Sequence, residues 1–477
     1  VVERLIKRID KVDVAILAFF LISLVLGILV VDDYGLSWDE YKDLSYGEVV
    51  LKAYQGSQDF LWEGGNRKTY GPVYWMFVGL ISTFVKSLLD IQIVYVWKII
   101  NFITFQVGIL SFYHLSKRFM ARIPAIVTTT FFMTQPLLWG HAFINPKDIP
   151  FMSFFLLCVA LSLRGFDAFN QYTGINDDHL GEGREIVAEK WDSLRSSWKA
   201  TSRSRKTIMV FLILLFLIVT IEFIFLKSII LPFLQTVVRD AYQGISIPLI
   251  NSLFERIAQD AYKTSMELYL GKISRLYDWF SWLITIGFAL VVWFTCRRLL
   301  FGRSQKIDWR DFLKRISFFI IPGLFLGLIV SIRIVGLSMG ALFSVYFLYK
   351  ARGKAVIPLI FYWSFAAFIT FATWPYLWDS TISRFFESIN QVGSYTSHHT
   401  LFQGEFHLST NMPFYYLPFL IVIQLTEPVI LLLIIGIPLC VKKVRSNDVD
   451  LGEILLLAGW FIIPILTEII LRIPIYD

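Results

Sequence analysis

The chain has 477 residues, of which 56% are apolar, 17% aromatic and 17% charged, with a net charge of +7 and a mean hydropathy of +0.62. Such usage excludes a water-soluble enzyme or a disordered chain. The positive excess is read through membrane topology and not nucleic acid binding, because Lys and Arg collect in cytoplasmic loops.

Apolar runs of about 18 residues or more, the length that crosses a bilayer core, recur from end to end. They are continuous and lack the alternation of a barrel strand, so the expected fold is an all-α, polytopic helix bundle. Arg4, Lys7, Arg8 and Lys11 precede the first run, Val14 to Val31, and no small-residue cleavage pattern follows it. The first helix is therefore expected to be a retained anchor with a cytoplasmic amino terminus. Pro72 to Leu89 is short, opens with Gly71-Pro72 and carries Lys86. Reading it as interfacial places the later basic clusters, from Lys117-Arg118 to Lys442-Lys443, inside.

This gives about eleven crossings, at 13–31, 91–115, 124–141, 149–166, 207–231, 280–297, 316–332, 335–349, 355–373, 415–441 and 451–471. They belong to one integral membrane domain over 1–477, with interfacial helices in the first outer loop. Residues 165–206 read as a polar cytoplasmic loop and 233–279 as an outer insertion, where Leu253, Phe254, Ile257, Ala258 and Ala261 recur at helical spacing. Val1 is not Met and Asp477 follows an apolar run abruptly, so truncation is expected, above all at the carboxyl end. Cys158, Cys296 and Cys440 all lie in or at the end of apolar runs, and disulfides are not expected.

Three outer loops carry unusual charges. In Ser37-Trp38-Asp39-Glu40, Ser37 and Glu40 are spaced as a capping box. Adjacent helical residues diverge by about 100°, so capping by Glu40 leaves Asp39 free, either as a first-turn acid favoured by the helix dipole or as a general base at the membrane face. In Asn145-Pro146-Lys147-Asp148-Ile149-Pro150, Asp148 reads as an N-cap, with Lys147 beside it to meet an anion. Arg333 stands where two short apolar runs meet, and its guanidinium can clamp a phosphate.

A later loop, 374–418, holds His398, His399, Glu405 and His407, whose spacing fits no standard zinc signature. No divalent metal is assigned. Glu222, deep in the fifth expected span, is expected either to pair with Lys227 or to face a cavity. Trp374-Pro375-Tyr376-Leu377-Trp378 and Tyr415-Tyr416-Leu417-Pro418 suit interfacial belts, and also stacking on a sugar ring. Walker loops, dinucleotide fingerprints and nucleophile elbows are absent from the sequence.

Trp38-Asp39-Glu40, Tyr70-Gly71-Pro72-Val73-Tyr74-Trp75, Asn145-Pro146-Lys147-Asp148-Ile149-Pro150 and the two aromatic clusters stand in an order that resembles the C-type membrane glycosyltransferases. The nearest branches are protein O-mannosyltransferases and lipid A aminoarabinose transferases. The resemblance implies inverting transfer of a sugar from a polyprenyl-phosphate donor to a protein, lipid or glycan acceptor on the outer face, with no cofactor. It implies Asp39 as the catalytic acid position, with Glu40 and Asp148 beside it. Arg333, Lys147, Arg67 and Lys68 are the cations expected to hold the donor phosphate, and Trp38, Tyr74, His399, Glu405 and Tyr415 the expected sugar or acceptor contacts. One branch of the family has Lys directly before Pro-Pro in the Tyr-Trp motif, where Thr69-Tyr70-Gly71-Pro72 stands here. The competing expectations are a transporter or scramblase of lipid-linked sugars, whose charges would sit along a midplane path, and a non-catalytic assembly subunit.

Overall fold

The computed structural model describes residues 11–174 apart from 64 and 90, then parts of 206–292, and then 309–393, 399–446 and 450–471. It divides into two units, Val1–Ile175 with Leu313–Asp477, and Asn176–Phe312. In the second unit Lys227 pairs with Asp278 at 2.7 Å, and Gln235 bonds to Ser274 at 3.2 Å. Glu222 and most of the expected 165–206 loop and 233–279 insertion lie outside the described residues.

The first unit begins with α1 (Lys11–Val30), which covers the expected first crossing. Then come α2 (Glu40–Leu51), α3 (Val73–Leu88), α4 (Ile93–Phe119), α5 (Arg122–Met133), α6 (Pro136–Ile144) and α7 (Asp148–Thr173). Later in the chain follow α8 (Trp309–Val330), α9 (Leu337–Ala351), α10 (Val356–Thr373), α11 (Thr381–Gly393), α12 (Tyr416–Gln424), α13 (Glu427–Arg445) and α14 (Leu451–Leu471).

Helices α7 to α10 enclose an aromatic core in which Phe166, Phe169, Phe319, Phe343, Phe347 and Tyr362 are buried. The rings of Phe319 and Phe347 stack with centroids 4.7 Å apart. Gly323 and Gly327, one turn apart on α8, face the carbonyls of Tyr362 and Ala366 on α10, and a Cβ there would lie 2.6 and 2.5 Å from those oxygens. In a bilayer, where lipid is as apolar as a side chain, such close approach through small residues is a main source of helix association.

Among the described residues, five helical stretches are long and apolar enough to cross a membrane: Ile93–Phe119, Asp148–Thr173, Arg310–Val330, Ile334–Thr373 and Leu451–Ile469. A sixth arises if α12 and α13, which meet at 115°, count as one broken span. The described residues therefore do not show the expected count of about eleven. One reason is that Ile334–Thr373, 40 residues, combines two expected crossings. Trp363 Nε1 donates to Ser344 Oγ at 3.0 Å, so the chain reverses between α9 and α10 and the stretch is a helical hairpin. The expected crossing at 124–141 is instead two short helices, α5 and α6, divided at Thr134-Gln135 with Pro136 opening the second. At that break Gln135 Nε2 donates to Thr426 Oγ1 at 2.9 Å, linking it to the break between α12 and α13. The expected spans at 207–231 and 280–297 lie largely outside the described residues.

Among the described residues the all-α expectation has one exception, an antiparallel hairpin of β1 (His399–Phe402) and β2 (Glu405–Leu408). Its two-residue turn, Gln403-Gly404, has positive φ at both positions, 52° and 88°, as a type I′ turn needs.

Charged residues meet at opposite ends of α7. Near its carboxyl end Asp167 accepts from Arg118 of α4, which also bonds Glu453 of α14 at 3.0 Å. At its amino end lies the cluster described next. The approach there depends on Gly71, where a Cβ would fall 2.2 Å from the Ser331 carbonyl oxygen at the end of α8. Gly71→Ala should therefore destabilise the protein by about 3 kcal/mol, since backbone and not a yielding side chain opposes the new methyl. Thermal unfolding in detergent checks this against Gly35→Ala, where the added Cβ meets nothing within 4 Å and no change is expected.

Candidate functional site

The site is built on the first turn of α2. Glu40 reaches back to accept the Ser37 backbone N–H at 3.1 Å, the one bond of the expected capping box that forms, since α2 begins at Glu40 itself. Asp39 occupies the N-cap position, but its carboxylate makes no capping bond. One oxygen meets Arg67 Nη2 at 3.2 Å and the other Lys147 Nζ at 3.2 Å. Asp39 is thus ion-paired where the sequence reading left it free.

One turn along the same face, Asp43 binds the same two cations, Arg67 Nε at 2.7 Å and Lys147 Nζ at 3.0 Å. The Asp43 side chain is 0% exposed, whereas that of Asp39 is 51% exposed. Asp43 was not an expected site residue. Its spacing of four from Asp39, which puts both acids on one helix face, was the available signal.

The second half of the site surrounds the start of α7. Asn145 Oδ1 accepts the backbone N–H groups of Lys147 at 3.1 Å and Asp148 at 2.9 Å. The end is therefore capped by Asn145 and not, as expected, by Asp148. The Asp148 carboxylate turns instead to Arg333, whose Nη2 lies 2.7 Å away, and to Asn145 Nδ2 at 2.9 Å. Asn145 Nδ2 also lies 3.0 Å from His141 Nδ1. Because Lys147 and Asp148 are neighbours in the chain, the two ion-paired groups form one cluster. Three carboxylates, Asp39, Asp43 and Asp148, face three cations, Arg67, Lys147 and Arg333.

The Tyr-Gly-Pro-Val-Tyr-Trp segment clamps these parts together. Beside the Gly71 contact, Val73 N donates to Ser331 O at 3.3 Å, two residues before Arg333. Trp75 Nε1 donates to Pro146 O at 3.1 Å, and Tyr74 OH donates to Asn101 Oδ1 at 3.0 Å. Asn101 Nδ2 in turn donates to Ala142 O at 3.0 Å and Asn145 O at 3.2 Å. Tyr74, an expected sugar contact, is thus buried and committed to the core.

The other expected residues are dispersed. Trp38 is exposed beside Asp39. Lys68 turns from the carboxylates: its ammonium lies 5.9 Å from the centroid of the Tyr376 ring and its carbonyl accepts Trp374 Nε1 at 3.0 Å. His399 and Glu405 belong to the hairpin and make no ion pair with the cluster among the described residues. Tyr415 packs on Phe402, ring centroids 5.9 Å apart. Among the described residues no group of three or more His, Cys, Asp and Glu is arranged to hold a metal ion, and His398 lies outside them.

Burial raises the carboxyl of Asp43, opposed by the charges of Lys147 and Arg67. It pushes Glu40 up to about 7, against the lowering effects of the Ser37 N–H and Lys98, with Asp43 adding to the rise. A carboxyl raised on folding binds more protons in the native state, so its contribution is full below the ordinary value of 4.5 and is lost as pH rises to about 7. Amide protection over Glu40–Leu51, with the intrinsic base catalysis of exchange divided out, should fall across that window, reflecting on the order of 2 kcal/mol. Glu40→Gln, which keeps an oxygen for Ser37, should shrink that fall to the part that the raised carboxyl of Asp43 contributes. Set against known proteins, the chain matches no family model, no curated protein and no solved structure.

Proposed function

We propose that this chain is a membrane glycosyltransferase that moves a sugar from a polyprenyl-phosphate donor to an acceptor at the outer membrane face, with inversion. The observation that carries the reading is the cluster itself: a half-exposed carboxylate, Asp39, joined through Lys147-Asp148 to a guanidinium, Arg333, beside apolar helices suited to a prenyl chain.

In this reading an acceptor hydroxyl attacks the anomeric carbon and gives its proton to Asp39. The bond from that carbon to the phosphate oxygen breaks, and polyprenyl phosphate leaves with the electron pair. A lipid phosphate is already a good leaving group, so the protein supplies one base and fixed positive charge for the developing anion. Arg333 suits the second task. One Nη is held by Asp148, while its Nε is buried with no hydrogen-bond acceptor among the described residues. Asp43 keeps Arg67 and Lys147 in place beneath Asp39. No step needs a nucleotide or a metal. The eleven-span topology, with the amino terminus inside and the cluster outside, belongs to the same proposal.

The test is reconstitution in proteoliposomes with a panel of polyprenyl-phosphate sugars radiolabelled in the sugar, together with membrane-derived acceptors. At least one label is expected to leave its lipid, and release of none of them overturns the reading.

A further inference from the structure

The connection between α10 and α12 carries an inverted polarity. In the hairpin register His399 pairs with Leu408, Thr400 with His407, Leu401 with Phe406, and Phe402 with Glu405. Alternation therefore puts Thr400, Phe402, Glu405 and His407 on one face and His399, Leu401, Phe406 and Leu408 on the other. The first face lies toward the protein. Thr400 and Phe402 are buried, and the Phe402 ring meets Tyr416 at 4.9 Å and Phe419 at 5.5 Å. The second face is free, yet three of its four residues are apolar: Leu401 is 60% and Phe406 73% exposed, Leu408 is exposed too, and His399 at the open end of the hairpin is the polar member. A hairpin washed by water on its free side has the opposite pattern.

Two neighbours repeat the feature. Helix α11 is anchored by buried Ser388, by Glu387, which accepts from Tyr376 OH at 2.6 Å, and by Arg384, which donates to Tyr376 O at 2.9 Å. Its exposed residues include Ile382, Phe386 and Ile389, a stripe at spacings of four and three. Beyond the hairpin, exposed Phe414 leads into α12, whose Phe419, Val422 and Ile423 are also exposed. Phe402 seats the hairpin on the first turn of α12, an apolar helix of the bent candidate span, and the hairpin's apolar face lies on the side away from that contact.

We infer that the β1–β2 hairpin is a membrane foot, whose Leu401, Phe406 and Leu408 rest in the headgroup region of the bilayer that holds the chain. The packing on α12 selects lipid as the occupant, since the hairpin is seated at the first turn of an apolar helix of a candidate span whose Phe419, Val422 and Ile423 are themselves exposed. Aromatic and aliphatic side chains at that depth gain by leaving water while Glu405, on the other face, stays hydrated. The inference stands apart from the proposed reaction.

The experiment labels Phe406→Cys, Leu401→Cys and Glu405→Cys with an environment-sensitive fluorophore, in nanodiscs containing lipids with nitroxide headgroups. Wild type labelled in parallel gives the contribution of the native cysteines. Leu401 and Phe406 are exposed, so neither substitution removes core packing. Positions 406 and 401 should emit at shorter wavelength than 405 and be quenched by the nitroxide lipid at least about threefold more strongly. Equal quenching at all three positions overturns the foot. Short-wavelength emission without lipid quenching also overturns it, and assigns the face to a protein contact such as a second copy.

Discussion

Asp39→Asn is expected to lower sugar transfer by about 100-fold or more in a protein that remains folded. Asparagine has nearly the shape of aspartate, but it cannot take the acceptor proton. The fold should persist because the Asp39 carboxylate does not cap α2, and because Arg67 and Lys147 both retain Asp43 as a partner. Unfolding in detergent separates loss of catalysis from loss of structure, since the Tm should stay close to wild type. Undiminished turnover in the folded variant would transfer the role of base to Asp148, the other half-exposed carboxylate of the cluster.

Removal of the Arg333 side chain should weaken transition-state stabilisation by about 2 kcal/mol or more, because charge accumulates on the departing phosphate where the guanidinium stands. Arg333→Ala also strips Asp148 of its ion pair, leaving that carboxylate with Asn145. Arg333→Lys restores charge without the two-pronged fork, so it should recover only part of the donor affinity. Kinetics of the two variants against a lipid-phosphate sugar check this ordering. Wild-type affinity and turnover in Arg333→Ala would return the phosphate role to Lys147 or Arg67.

Much of the cluster was legible in the sequence because its members stand in short, polar interruptions of apolar runs. Asp39, Lys147, Asp148 and Arg333 each occupy such a break, and a charged residue there needs a partner or water. Asp43 escaped notice because it lies within the helix that follows, where an acid reads as one of several solvated residues, and only the fold shows it buried under Arg67 and Lys147. Asp148 reads as the cap of α7 from its residue type and from Pro150 in the first helical turn, whereas Asn145 lies three residues earlier with the same capping chemistry and takes the bonds. Tyr74 is an expected sugar contact only through the family resemblance of its motif, and no spacing in the sequence foretells its burial or its hydrogen bond to Asn101, 27 residues away. The hairpin was missed for a different reason: Phe402-Gln403-Gly404-Glu405 carries a turn signal weaker than Asn-Gly, inside a loop read for its histidines.

The central claim is that the sugar leaves its lipid phosphate at this cluster. It is tested most directly with a donor carrying one label in the sugar and another in the phosphate, added to proteoliposomes of wild type and Asp39→Asn. The account predicts that wild type separates the labels, the sugar label passing to acceptor and the phosphate label remaining with the prenyl chain, while Asp39→Asn leaves them joined. Labels that stay together in wild type and move jointly from one leaflet to the other would contradict it, and would identify a carrier of lipid-linked sugar.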